Sequence, residues 1–345
     1  MLAVRYSGYG MAPELVEMPS PVCPDDGVLL DVLATGVCRS DWHAWRGHDP
    51  VSLPHVPGHE IAGVISQIGG QVTDFSVGDL VTTPFVNGCG RCEFCRSGNA
   101  QVCPQQTQPG FTHHGSFAEQ VALHAADTNL VRLPDGMDPV VAASLGCRFA
   151  TAYRAVTAQG RVSSGDRVAI FGCGGVGLSA IQIAVAFGAG VLAVDVSDVA
   201  RRRATDLGAI ALGPDDVVER IIELTGGGVQ VAIDALGSAA TELAAVRSLR
   251  RRGRFVQVGL MLGADARAPL PWDLVVAYEL EVRGSHGMAA CDYPAMLSMV
   301  ASGALRPAEL VGRVISLAEA PAALMAMDSP AASTAGMTVV DLSRH

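Results

Sequence analysis

Apolar positions along the chain fall into two textures. Over residues 1–147 they gather in short runs, among them 28–34, 61–68 and 79–83, cut by Gly and Pro and lacking a sustained helical period. Runs of that length bounded by turn formers predict strands and loops. From about Arg167 the texture changes. Strand-like segments at 167–171, 191–195, 209–212, 229–234, 254–258 and 280–283 alternate with helical patterns at 177–187, 198–207, 217–224 and 239–251. Such alternation predicts an α/β architecture with a doubly wound parallel sheet. Beyond Gly284 further helix and strand pieces lead to an apolar run at 337–340. Two arginine runs, Arg201–Arg203 and Arg250–Arg252, are assigned to predicted helices, the second complementing a helix C-terminus.

Composition narrows the function. A length of 345 residues suggests about two domains. The net charge of −10 excludes a nucleic-acid partner, because phosphate binding rests on a basic footprint. Hydrophobic residues make up 49% and charged ones 17%, which supplies a core and argues against disorder. A mean hydropathy of +0.32 raises the question of a membrane span. The most apolar stretch, 178–194, carries Ser179, Gln182, Gly188 and Gly190 and ends at Asp195, so it reads as helix, turn and buried strand. No charged segment followed by an apolar core opens the sequence, and the expectation is a cytoplasmic protein without membrane contact.

Nine cysteines without a leader argue against a disulfide framework. Four of them form Cys89-x2-Cys92-x2-Cys95-x7-Cys103, within a lobe spanning about 88–104. Four thiolates that close in sequence suit a filled tetrahedral zinc site; an iron–sulfur cluster satisfies the same spacing. A second motif is Gly172-Cys173-Gly174-Gly175-Val176-Gly177, which follows a predicted strand and opens a predicted helix. In that context Gly172 permits the tight turn, Gly174 the approach of a pyrophosphate, and Gly177 the packing of helix on strand. Asp195 ends the next strand, where a carboxylate accepts ribose hydroxyls and repels a 2′-phosphate. NAD is therefore expected over NADP, with Arg201 and its neighbours keeping NADP open.

Three further segments are Gly36-Val37-Cys38-Arg39-Ser40-Asp41-Trp42-His43, Gly58-His59-Glu60 and Leu145-Gly146-Cys147-Arg148-Phe149. With the cysteine lobe and the glycine motif, in this order over essentially the whole chain, they resemble the zinc-dependent medium-chain alcohol dehydrogenases. The resemblance implies a GroES-like β-rich catalytic domain from 1–147 and 285–345, and a Rossmann domain at 148–284. It implies that Cys38, His59 and Cys147 hold a catalytic zinc, with Glu60 close to the metal as an alternate ligand, while Cys89, Cys92, Cys95 and Cys103 hold a structural one. Asp41 would orient the zinc histidine. Ser40 would take the alcohol proton, His43 would relay it, and Arg39 would contact the pyrophosphate. Phe85 and Leu260 match pocket positions, and Trp42 and Trp45 are added as candidates for the same pocket. Where some members carry a second pyrophosphate-binding Arg, this chain has Gly336-Met337.

The implied activity is the NAD(H)-linked interconversion of a primary or secondary alcohol with its aldehyde or ketone, by hydride transfer from a zinc-held alkoxide, in a homotetramer or homodimer. An NADPH-preferring reductase and a polyol dehydrogenase are variants of this reading. A zinc-free quinone or enoyl reductase would not need the cysteine and histidine set, and a non-catalytic NADH-binding protein would not need the proton relay. Cys23, Cys173 and Cys291, and His48, His55, His113, His114, His124 and His286, receive no task.

Overall fold

The ten-residue strand Val28–Val37 is the spine of the first sheet in this computed structural model, which describes residues 1–329 and 336–344. Val28, Leu30 and Val32 point into one core with Ile61, Ile65, Phe75, Val81, Val121 and Leu123, while Asp31 faces solvent. Strand order is Val311–Ile315, Met337–Asp341, Val28–Val37, Ile61–Ile68, Leu80–Thr83, Val131–Arg132, and Gln120–Leu123 also pairs with the spine. The pairings are antiparallel except that of Val311–Ile315 with Met337–Asp341. At its far end the spine is buried on both faces. There Thr35 and Gly36 face Val340 and Val339, which is why the strand runs past residue 34, where the alternating pattern stops.

The chain divides into two units. One comprises Met1–Ala150, Gly287–Gly303 and Pro307–His345; the other comprises Thr151–His286 and Ala304–Arg306. In the second unit six strands lie in the order Ile210–Leu212, Gly190–Val194, Arg167–Phe171, Val229–Asp234, Leu249–Gln257, Glu281–Gly284, every pairing parallel. The order reverses between Arg167–Phe171 and Val229–Asp234, the topological switch point at which open α/β sheets bind ligands. Phe171, Leu192, Ile221, Val229, Ala245, Val246 and Phe255 close the core. The doubly wound expectation holds.

One boundary is corrected. The helix expected over 239–251 ends at Arg247, and Leu249–Gln257 is a strand. Leu249 is buried and pairs with Val229, so burying one leucine in the sheet overrides the helical preference of its neighbours. Arg250–Arg252 are consequently exposed on a strand, with Arg252 at φ 61° before Gly253. Arg201–Arg203 do lie on the helix Asp198–Asp206. Among the described residues no helix is long and apolar enough to cross a membrane.

Candidate active site

The helix Arg39–Trp45 begins at Cys38, whose extended backbone makes it the N-cap. Asp41, three residues on, returns its carboxylate: Oδ2 accepts the Cys38 N–H at 2.9 Å. Oδ1 accepts the Gly58 N–H at 3.0 Å and the His59 Nδ1–H at 2.9 Å. An acceptor-only partner fixes the proton on Nδ1 and leaves Nε2 with a free lone pair. That Nε2 is buried and, among the described residues, has no hydrogen-bond partner. Cys147 comes from a distant segment, the wide π-helical turn Leu145–Phe149. Ligand atoms of Cys38, His59 and Cys147 all lie within 4.8 Å of one another, and all three residues are buried. Hydrogen bonding between the thiols pulls the Cys38 thiol well down and pushes Cys147 up. Two thiols and an orphaned imidazole nitrogen, dry and convergent, fit a zinc-type cation with a fourth position open.

Ser40 and His43 sit three residues apart on the same helix, a spacing that shares a face. Ser40 Oγ lies 3.9 Å from Cys38 Sγ. His43 Nδ1 is 3.1 Å from Nδ1 of His48, an exposed residue beyond the helix end. Burial first, then the charges of His48 and Arg39, lower the His43 imidazole to about 4. It is therefore a neutral base at pH 7. The Trp42 ring packs edge-on against both His43 and His48, and its indole N–H donates to Asp328 Oδ1 at 2.7 Å. Arg46 also pairs with Asp328, tying this helix to the chain after the helix Ala320–Ala326.

Glu60 is fully buried and receives Arg148, which is 8% exposed. Its Oε1 accepts the Arg148 backbone N–H at 3.1 Å and Nε–H at 2.9 Å, and Nη2 pairs with Oε2.

In the cysteine lobe the thiols of Cys89, Cys92, Cys95 and Cys103 also converge within 4.8 Å. Cys92 Sγ is 3.5 Å from Cys95 Sγ and 3.7 Å from Cys103 Sγ. Those separations exceed a disulfide bond of about 2.05 Å. They approach the edge of roughly 3.8 Å expected for a tetrahedron of Zn–S bonds. Backbone N–H groups of Cys89, Cys95 and Gln105 point at these sulfurs, the donors a thiolate wants.

These two clusters sit in a chain whose relatives can be named. Residues 24–135 match the family model of the alcohol dehydrogenase GroES-like domain, and 175–302 match that of the zinc-binding dehydrogenases. An alcohol dehydrogenase of Geobacillus stearothermophilus is 35% identical over 313 residues, covering 89% of this chain and 90% of its own. The chain belongs to the zinc-dependent medium-chain alcohol dehydrogenases. A sorbitol dehydrogenase of Halalkalibacterium halodurans is 32% identical, covering 94% of this chain and 95% of its own. The solved alcohol dehydrogenase TADH of Thermus sp. ATN1 superposes with a TM-score of 0.91 at 30% identity, covering 99% of each chain.

In this alcohol dehydrogenase family member the glycine motif of the Rossmann unit takes the shape its spacing predicts. Gly172 has φ 90°, and the helix Gly175–Ala186 starts after Gly174. A Cβ on Gly177 would meet the Gly172 oxygen at 1.8 Å, whereas one on Gly174 would meet nothing within 4 Å. Gly177 is thus needed for packing, and Gly174 opens space at a helix N-terminus, a cradle suited to a pyrophosphate. Gly175 and Val176 form the first turn of that helix. Asp195 accepts the Cys173 N–H at 2.7 Å and the Ser197 N–H at 2.8 Å, which fixes its carboxylate beside the motif. Arg201 donates to the Asp195 carbonyl at 2.6 Å and pairs with Asp198. Burial, then the charge of Asp195, push the Cys173 thiol up to about 12.

The dehydrogenase differs from sequence expectation at several positions. Trp45 is not a pocket residue: it is buried with Tyr6, Ala44, Val51 and Leu324, and its N–H donates to the Met11 carbonyl at 2.6 Å. The Arg46 guanidinium lies 4.5 Å from its ring centroid, and Trp45 is only 2% exposed. Arg39 donates to the Met327 carbonyl at 2.5 Å and lies over the Trp42 ring. Phe85 is half-buried with its ring edge-on to His59, and Leu260 is exposed in the second unit. Sequence reading missed Arg148, His48 and Asp328. Only His48 carried a local signal, a second imidazole five residues after His43.

Proposed function

We propose that the protein is a zinc-dependent, NAD(H)-linked dehydrogenase interconverting a small primary or secondary alcohol with its aldehyde or ketone. The observation that carries this reading is the convergence of Cys38, His59 and Cys147 with Nε2 unpartnered and Nδ1 held by Asp41. These three residues would hold the catalytic zinc, and Cys89, Cys92, Cys95 and Cys103 a structural one. A zinc ion in the first set supplies Lewis acidity toward the substrate oxygen, and the nicotinamide supplies the hydride acceptor.

The chain's own residues handle the proton. Ser40 accepts it from the substrate hydroxyl and passes its own to His43, whose neutral imidazole is the base. His48, at 3.1 Å from His43, leads outward to the exposed end of the path. Gly172, Gly174, Gly175, Val176 and Gly177 bind the pyrophosphate, and Asp195 takes the ribose hydroxyls. NAD is preferred because Asp195 presents negative charge where a 2′-phosphate would sit. Arg201, a nearby counter-charge, is already engaged by the Asp195 carbonyl and the Asp198 carboxylate.

The test is NADH appearance with NAD and a panel of primary, secondary, aromatic and polyol substrates, with NADP in parallel. The polyols are included because of the sorbitol dehydrogenase likeness. Turnover with NAD that a chelator abolishes is the expected result. Turnover unaffected by metal removal, or confined to NADP, would overturn the corresponding part.

A further inference from the structure

Glu60 follows the ligand His59 directly, and Cys38 and His59 both act electrostatically on its buried carboxylate, which makes it the nearest candidate in sequence for a further ligand to the thiolate–imidazole set. The structure shows what opposes that. Both oxygens are taken by Arg148: backbone N–H and Nε–H on Oε1, Nη2 on Oε2. The backbone N–H belongs to the same π-helical turn that carries Cys147. Glu60 is therefore gripped by the very segment that positions one of the ligands. The carboxylate also rests against Gly36. A Cβ there would stand 1.9 Å from Oε2 and 2.9 Å from the Glu60 Cβ, so the glycine is the hollow in which the carboxylate lies.

Resting on the reading that Cys38, His59 and Cys147 hold a metal, we propose that Arg148 is a positioning residue. It keeps Glu60 out of the ligand set and so keeps the fourth coordination position free for substrate. Two thiolates already balance a divalent cation. A third anionic ligand would close the site, as in structural zinc centres, and lower its Lewis acidity. Arginine suits the task because its planar fork engages both carboxylate oxygens at once, which a lysine cannot do. Gly36 and Arg148 both confine this carboxylate, so disturbing either should release the same group.

The test uses the full-length protein loaded with Co(II) and reads the change in visible absorption when imidazole, a small exogenous ligand, is added. The four-thiolate lobe has no open position and does not contribute to that difference. In the wild type imidazole perturbs the spectrum. In Arg148→Met its apparent affinity falls by about 10–100-fold, the scale of outer-shell effects at metal sites. Release of the metal to a chelator slows at the same time. The double variant Arg148→Met with Glu60→Gln regains imidazole binding, because the amide is a poor competitor for the position. Gly36→Ala reproduces the loss, and adding Glu60→Gln to it restores binding, so this second pair decides the matter if Arg148→Met does not fold. Unchanged imidazole binding in both single variants, or a loss that Glu60→Gln does not rescue, overturns the proposal and leaves the metal site standing. A wild type that takes up no cobalt outside the cysteine lobe overturns the underlying functional reading instead.

Discussion

The carboxylate of Asp41 and the imidazole of His59 form a fully buried pair at 2.9 Å, and the same carboxylate holds the Cys38 N–H. One acidic side chain thus sets the tautomer of His59 and the backbone of Cys38. Asp41→Asn keeps the shape but offers a single acceptor oxygen. It should lower metal affinity at this site by about 10–100-fold. Competition with a chromophoric chelator measures it, and an unchanged affinity would deny Asp41 its orienting role.

His43→Ala should cost on the order of 10²-fold in turnover, with the deficit deepest at low pH, where solvent is the poorest substitute base. Metal content should stay at the wild-type value. Loss of metal in this variant would mean that His43 supports the site rather than relaying protons.

Gly174→Ala and Gly177→Ala make a matched pair. The first places a methyl in open space and should fold normally while weakening NADH binding. The second drives a methyl into the Gly172 carbonyl and should destabilise the unit itself. Thermal melts and NADH titrations distinguish the two; equal melting temperatures would contradict the packing role of Gly177.

Cys103→Ser should remove one metal ion per chain and leave the other. Its sulfur is buried, receives two backbone N–H groups, and neighbours Cys92. Elemental analysis reads the stoichiometry. The melting temperature should fall by about 2–4 °C for each kcal/mol lost.

Burial, aided by the charges of neighbouring imidazoles, lowers His113 to about 4, and burial also lowers His55 and His114. The unfolded chain therefore binds protons that the native state refuses, so stability falls as pH drops from about 6.5 toward 4. The His113 share is on the order of 3 kcal/mol at the acid end. His113→Gln should flatten the dependence of urea midpoints between pH 7 and 5; identical slopes would show that His113 is protonated freely in the native protein.

Local chemistry was legible and long-range chemistry was not. The strand Ile61–Ile68 and the glycine turn announce themselves through hydrophobic runs and turn formers that act within a few residues. The cysteine lobe did so through spacing alone. Cys38, His59 and Cys147 could be joined only by resemblance, because the sheet and a π-helical turn bring them together. Arg148 had no signal at all: its partner lies 88 positions away, and an arginine reads as solvated until its burial is seen. Trp45 failed for the opposite reason. Ser40 and His43 on the same helix carry the candidate chemistry, and only the packing of Trp45 with Tyr6, Ala44 and Leu324 shows that its own direction is inward.

The spine strand Val28–Val37 finds one of its neighbours, Met337–Asp341, near the far end of the sequence. A ribosome releases the first of these long before the second. During synthesis the intervening parallel-stranded unit has all its strands in hand, while Val28–Val37 lacks one of its partners until Met337–Asp341 emerges. Nascent chains should therefore mature in the order middle, then ends. Deleting Met337–Asp341 would strike at the closing of this sheet on its long strand, even though the two segments lie far apart along the chain.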